Sequence, residues 1–519
     1  MALAVIFVAM LSSLFLGTSI ERFINGLSLR TILYAAIFIR LIAAFFSIGY
    51  GMHDDHYYVI EVAQSWADGG NVGGWLPWVE PGQTPDVSHS LFYPGIHFLL
   101  FKLMNGLGPH DPQIKMLLVR ILHAFYSTLI VYFGFKITEK LADKNTAKWC
   151  GLFLALLWFM PYLSVRNLVE MVCIPPLMGA FWLLLKKDEP QWWHYLLAGF
   201  VVGFAFSIRY QTALFIGGIG LALLIKQQWR GAILFGTAAI INVLLFQGLT
   251  DFIIWGKPFA EFLGYLQYNV VHKNDFTTGP WYNYILLILG LALPPFSVVL
   301  WYGYFKNISR NLLLFIPTFI FLAFHSYFIN KQERFILPFV PFFIILGLAG
   351  SKDLAPAFIF EKNRKRTFQI IGFTLLSLNL LLLLIASVSS SKTSRMNAMY
   401  YLYEQKDAKG YILEASGTYG WLLFPKFYAG QWLPEFQVSS DHHASDVKTD
   451  IGWQPVKPNY VIFLSDKDLD RRLQEFKQVF PNIEYKTTIQ PAFMDRLFHK
   501  LNPINKNEPC YIYKLGEQP

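Results

Sequence analysis

The chain reads as an α-helical polytopic membrane protein with about a dozen transmembrane helices, some short and paired, followed by a small C-terminal α/β domain. Three observations predict this. Hydrophobic residues fill 54% of the 519 positions and charged residues only 15%, against about 25% charge in a soluble domain. Long apolar runs recur as far as residue 388. Beyond about 392, short apolar segments alternate with polar and Gly/Pro turns, the rhythm of a small α/β fold. The expected division is a membrane domain over 1–390 and a soluble extracytoplasmic domain over 391–519.

The expected spans are 2–19, 31–50, 116–136, 149–164, 171–185, 195–209, 211–225, 231–249, 282–304, 311–329, 335–350 and 367–388. Several fall short of the ~20 residues of a straight crossing. Residues 2–19 lack a basic leader and a small-x-small cleavage site, which favours a retained helix over a signal sequence. Alternating the sides gathers Arg30, Lys144, Lys148, Lys186, Lys187, Lys226, Arg230, Lys306, Arg310 and the Lys362–Arg366 cluster onto one face. By the positive-inside rule that face is cytoplasmic. The net charge of +9 is therefore topology rather than a footprint for nucleic acid. The three cysteines, Cys150, Cys173 and Cys510, are too scattered for a disulfide framework or a cysteine-rich zinc site.

The opposite face holds the unusual chemistry. His53-Asp54-Asp55-His56 follows directly on an apolar run, where carboxylates are costly to desolvate. A helix starting near Asp54 would place Tyr58 and Glu61 on its carboxylate-bearing face. Asp54 could equally cap that helix, and the two histidines leave a divalent metal open. The paired short spans turn at Arg166, at Arg209 and at Lys331–Arg334. One such cation alone is ordinary snorkelling, but three turns together point to an outward-facing anion site in a recess. The aromatic loop 251–284 suits interfacial packing and the stacking of sugar rings equally.

In the C-terminal stretch, 410–416, 421–430 and 459–466 are expected strands, 466–478 a helix and 397–408 a first helix. It carries no catalytic motif, and its expected role is to shape or cover the outer surface.

Asp54-Asp55-x-Tyr57-Tyr58 with Glu61 resembles the acidic signature in the first extracytoplasmic loop of GT-C glycosyltransferases. SHSLFYP (88–94), VRNLVEM (165–171), SIRYQTAL (207–214), the 251–270 segment, GPWYNY (279–284) and NKQERFILPFVP (330–341) follow in the order of glycosyltransferase family 22, the lipid-linked-oligosaccharide and GPI-type mannosyltransferases. The resemblance covers about 31–350 and is that of a distant, bacterial relative. It departs from the pattern at His53 (usually Pro), Asp55 (usually Glu), His89 (usually Arg), Asn330 (usually His) and Gln332 (usually Glu).

The resemblance implies inverting transfer of a hexose, mannose, from a polyprenyl-phosphate sugar to a lipid-linked glycan, glycolipid or protein. It places the reaction on the outer face of a bacterial inner membrane, or in the ER membrane of a eukaryote. Such transfer needs a base for the acceptor hydroxyl and fixed cations for the departing phosphate. Asp54 is the expected base, with Asp55 second and Glu61 supporting. Arg209, Lys331 and Arg334, then Arg166, are the expected phosphate ligands. No cofactor is required beyond that open metal. The alternatives are a polytopic transporter and a non-catalytic polysaccharide-assembly protein. The sequence has no clear internal repeat, which a transporter would favour.

Overall fold

The computed structural model describes residues 24–516 apart from 25, 79–86, 109, 276, 353–361, 418–422 and 503–506. The expected first span, 2–19, lies outside the described residues. The chain divides into two compact units, one of Met1–Phe45, Gly73–Ile96 and Val119–Val388, the other of Phe46–Val72, His97–Leu118 and Ser389–Pro519.

The first unit is helical. Among the described residues of the whole chain, five helices are long and apolar enough to cross a membrane: Leu29–Phe46, Pro112–Leu141, Trp229–Trp255, Glu333–Ser351 and Ile370–Ser387. Four shorter apolar helices, Val169–Leu185, Trp192–Ile208, Tyr210–Ile225 and Leu312–Tyr327, fall on the expected short spans 171–185, 195–209, 211–225 and 311–329. This is a multi-pass membrane protein.

Its packing follows from small residues and from buried donors given acceptors. Arg40, fully buried, donates from Nε to Ser127 Oγ (3.1 Å), from Nη1 to Ala155 O (3.2 Å) and from Nη2 to Leu154 O (3.0 Å). One guanidinium thus ties three helices and leaves few donors unmet in a medium without water. A Cβ on Gly303 would strike Gly347 O, and one on Gly350 would strike Gly303 O. Only glycine allows the 296–306 and 340–351 helices this close approach.

Three expectations change here. The span expected at 282–304 is two helices, Asn283–Leu291 and Phe296–Lys306, because Pro294 and Pro295 lack the N–H groups a continuous ladder needs. The span at 149–164 likewise breaks into Lys144–Leu156 and Met160–Ser164. Phe92–Leu107 is a helix that the sequence reading left inside a loop.

The second unit contains a five-stranded sheet: β1 Tyr411–Glu414, β2 Glu435–Val438, β3 Tyr460–Leu464, β4 Ile483–Ile489 and β5 Cys510–Leu515. The order is β2-β1-β3-β5-β4. β1 pairs in parallel with β2 and β3, while β5 runs antiparallel to β3 and β4. The Ala444–Gly452 and Leu469–Val479 helices bury Val447, Ile451 and Phe476 against Ile412, Val461 and Phe463. The Thr393–Glu404 helix packs Met396, Met399 and Leu402 into the core. The expected α/β fold is therefore present. Of the strand expected at 421–430, residues 421 and 422 lie outside the described residues and the rest is a loop and a 3₁₀ turn, Lys426–Ala429, since Pro425 withdraws a ladder donor.

Candidate functional site

The cations of the first unit sit where helices stop. The Trp192–Ile208 helix ends as Arg209 turns extended, at φ −147 and ψ 107. Arg209 Nη2 then lies 3.2 Å from Glu170 Oε1, on the one-turn helix Val169–Val172. Arg334, on the 3₁₀ turn Glu333–Phe339, approaches the same oxygen with Nε at 3.5 Å and donates to Gln332 Oε1 at 2.9 Å. Both guanidinium groups stack on the Phe335 ring, at 4.9 Å and 5.6 Å from its centroid.

Glu170 is fully buried and Arg334 nearly so. Two guanidinium groups thus meet at one carboxylate in a dry setting, where charge-assisted hydrogen bonds are strong. Arg166, also buried, lies 4.2 Å over the Tyr162 ring, and its Nε and Nη2 have no hydrogen-bond partner among the described residues.

Lys331 is placed differently. Its Nζ donates to His325 O (2.7 Å), Ser326 O (2.9 Å) and Phe328 O, capping the C-terminal end of the Leu312–Tyr327 helix. Burial lowers its pKa from the ordinary lysine value. The structure thus brings Arg209 and Arg334 together, while Lys331 holds the turn that presents Arg334. In the same unit, Trp281, Ile285, Leu289, Phe319, Ser326 and Tyr327 are among the residues lining an apolar cavity of about 710 Å³.

A second buried network ties two of the quoted segments together. Gln247 Nε2 donates to Asp251 Oδ1 (2.7 Å) and Glu261 Oε2 (2.9 Å). Glu261 also accepts from Leu91 N (3.0 Å) and Trp255 Nε1 (3.0 Å), and its own N–H donates to Asp251 Oδ2 (3.1 Å). Burial, and then the neighbouring Asp251 charge, push the Glu261 carboxyl up to about 8. Ser90 Oγ donates to Ser207 O at 2.6 Å, two residues before Arg209. The carboxyl pair therefore anchors the 88–91 turn, and that turn braces the helix end carrying Arg209.

The acidic cluster belongs to the second unit. Asp55 accepts from Met52 N (2.9 Å) and Gly51 N (3.3 Å), so its carboxylate folds back onto the preceding loop. Asp54 is half-buried on the His53–Asp55 turn. The chain then winds as a π-helix over His56–Glu61.

That wider turn corrects the expected face. With i→i+5 spacing, Glu61 aligns with His56, lying 3.3 Å from its Nε2. Glu61 Oε1 also accepts from Phe427 N at 3.0 Å, and Tyr57 Oη donates to Leu423 O at 2.6 Å. His56 lies between the Tyr50 and Tyr428 rings, with centroids at 4.9 Å and 5.5 Å. Among the described residues, no group of three or more His, Cys, Asp or Glu is placed to hold a metal ion.

Sequence reasoning missed Glu170, Asp251 and Glu261. All three lie inside segments it had singled out, VRNLVEM and 251–270, and an acidic residue in an apolar run was the available signal.

The architecture is that of the GT-C membrane glycosyltransferases. The fold is similar to that of ArnT from Cupriavidus metallidurans, solved bound to undecaprenyl phosphate: the TM-score is 0.58 at 12% identity, over 94% of this chain and 98% of that one. The apo structure of the same protein gives a TM-score of 0.59. The profile of the Alg9-like mannosyltransferase family matches residues 31–414, and the chain belongs to that family. It is 27% identical over 342 residues to GPI mannosyltransferase 3 of Candida albicans, covering 63% of this chain and 65% of that protein. It is 24% identical over 335 residues to mannosyltransferase APTG1 of Arabidopsis thaliana, covering 61% and 58%. The chain thus spans less than two thirds of the length of the curated relatives it matches.

Proposed function

We propose that this protein transfers mannose from a polyprenyl-phosphate sugar to a lipid-linked glycan, glycolipid or protein on the extracytoplasmic face of its membrane, with inversion at the anomeric carbon. One observation carries the reading. The Arg209 and Arg334 guanidinium groups, both largely buried, converge on the Glu170 carboxylate in the same unit as an apolar cavity whose lining includes Ser326 and Tyr327. Such a pairing suits an amphiphile with an anionic head and a hydrocarbon tail, the chemistry of a polyprenyl phosphate. The undecaprenyl phosphate bound by ArnT and the mannosyltransferase names of the relatives support it.

In the reaction, the acceptor hydroxyl oxygen bonds to the anomeric carbon as the bond to the phosphate oxygen breaks. The hydroxyl proton passes to Asp54, and polyprenyl phosphate departs with its new charge stabilised by Arg209 and Arg334. Arg166, with unfilled donors, is a third ligand, and Lys331 acts by fixing the turn. Asp55 and Glu61 support the loop that carries Asp54.

The test is transfer from polyprenyl-phosphate mannose by the purified full chain, against a panel of lipid-linked glycan, GPI-type and peptide acceptors. Asp54→Asn should lower turnover by ~10²–10⁴-fold, the usual worth of a general base. Full activity in that variant removes Asp54 as base. No transfer from any polyprenyl-phosphate sugar removes the reading.

A further inference from the structure

The second unit contains a cavity of about 280 Å³ lined by Gln64, Asp68, Asn105, Lys115, Phe427 and Trp432, among others. Its polar side chains form a closed network. Asp68 Oδ1 accepts from Gln64 Nε2 (2.8 Å) and Asn105 Nδ2 (3.2 Å), and Asp68 Oδ2 accepts from Trp432 Nε1 (3.0 Å). Lys115 Nζ donates to Gln64 Oε1 (3.1 Å) and Asn105 Oδ1 (2.6 Å). Gln64 and Lys115 are both buried, so the lining is held in place before any ligand arrives.

Four members keep spare hydrogen-bonding capacity. Two of the three Lys115 ammonium protons are used, each amide has a second N–H, and the Asp68 carboxylate has a further acceptor site. The lining therefore offers both donors and acceptors, as vicinal hydroxyls require, since each hydroxyl both gives and takes a hydrogen bond. The charges nearly cancel: Asp68 faces Lys115, and Lys426 at the rim is paired with Glu435 at 3.2 Å. A neutral ligand fits this balance, whereas a phosphate would meet the Asp68 carboxylate. The Trp432 and Phe427 rings supply apolar surface for the C–H side of a sugar. The volume, at the low end of the ~300–1,000 Å³ typical of small-molecule sites, suits one ring.

We propose that this cavity is a carbohydrate subsite that takes one neutral pyranose of the acceptor glycan. It rests on the transferase reading only in making that sugar the acceptor's. Position supports the assignment. Gln64 lies three residues after Glu61 and Asp68 seven, and Phe427, whose N–H Glu61 accepts, is part of the cavity wall. The cavity wall is thus hydrogen-bonded, through Phe427, to the end of the π-turn that follows Asp54.

The experiment is saturation-transfer NMR on the full chain in nanodiscs, with methyl α-D-mannopyranoside, N-acetylglucosamine and inorganic phosphate as probes. The glycosides should receive saturation from the wild-type protein, and phosphate should not displace them. Asp68→Ala should weaken glycoside binding roughly tenfold or more, and Trp432→Phe, which keeps the ring and loses its N–H, roughly fivefold. If Asp68→Ala does not fold, Trp432→Phe decides the matter alone.

Wild-type affinity in Trp432→Phe, absence of glycoside binding to the wild type, or displacement by phosphate each overturns the subsite. Transfer assays separate the two readings. Turnover with an acceptor KM that Trp432→Phe leaves unmoved sinks the subsite and spares the transferase. Glycoside binding lost in the variants of a protein that transfers nothing does the reverse.

Discussion

Replacing Glu261 with glutamine should abolish a pH dependence of stability that the wild-type protein shows. The Glu261 side chain has no exposed surface and is pushed up to about 8 by burial and by Asp251, from the ordinary glutamate value of 4.5. The folded chain therefore keeps a proton that the unfolded chain releases, across the interval between those values. Stability from this group is full below about pH 4.5 and falls as pH rises toward 8. At about 1.36 kcal/mol per unit, the loss across that interval is at most about 4–5 kcal/mol.

Glu261→Gln keeps an oxygen for Leu91 N or Trp255 Nε1 and carries no charge at any pH. Thermal unfolding in detergent from pH 5 to pH 8 is the assay. The wild type should lose roughly 4–8 °C more than the variant, given about 2–4 °C per kcal/mol in chains of 150–250 residues and less in a longer one. Parallel profiles would refute the retention of a proton by Glu261 in the folded chain. Because Leu91 follows Ser90, and Ser90 braces Ser207, the wild-type donor KM should also rise over the same interval.

Arg334→Ala removes one of two guanidinium groups beside Glu170 and should raise the KM for the sugar donor by roughly ten- to a hundredfold, the worth of a charged hydrogen bond. An unchanged donor KM would exclude Arg334 from the phosphate site. Asp55→Ala frees the Gly51 and Met52 amides and should cost about 1 kcal/mol, as loss of a cap does, with turnover reduced far less than in Asp54→Asn. Equal loss of turnover in the two variants would contradict a capping role. Arg472→Met strips Glu414 of its partner at 2.5 Å, both groups being buried, and should destabilise the sheet by about 3–5 kcal/mol. Limited proteolysis of residues 389–519 would report this, and wild-type resistance would count against it.

The helical membrane architecture was legible because apolar runs are local: a stretch of apolar residues must be buried or bilayer-facing wherever it occurs. The short spans also exposed Arg209 and Arg334, since a cation at the end of an apolar run stands out. The helix Phe92–Leu107 did not stand out, because Pro94, Gly95, His97 and Lys102 interrupt its hydrophobicity. The break at Pro294-Pro295 was written in the residues and overlooked in favour of the longer run.

The partners of the charges were not legible. Glu170 is near neither Arg209 nor Arg334 in sequence, and only folding brings both guanidinium groups to one of its oxygens. The role of Glu61 turned on a backbone choice: α spacing would face it toward Asp54, whereas the π-turn aligns it with His56 and the Phe427 amide. The sequence by itself determined which segments are apolar and which rare charges lie at their ends, because burial of apolar surface is decided residue by residue. Which charges pair, which cap a helix and which remain for a ligand was decided only by the tertiary structure, because electrostatic energy depends on distances that chain order does not contain.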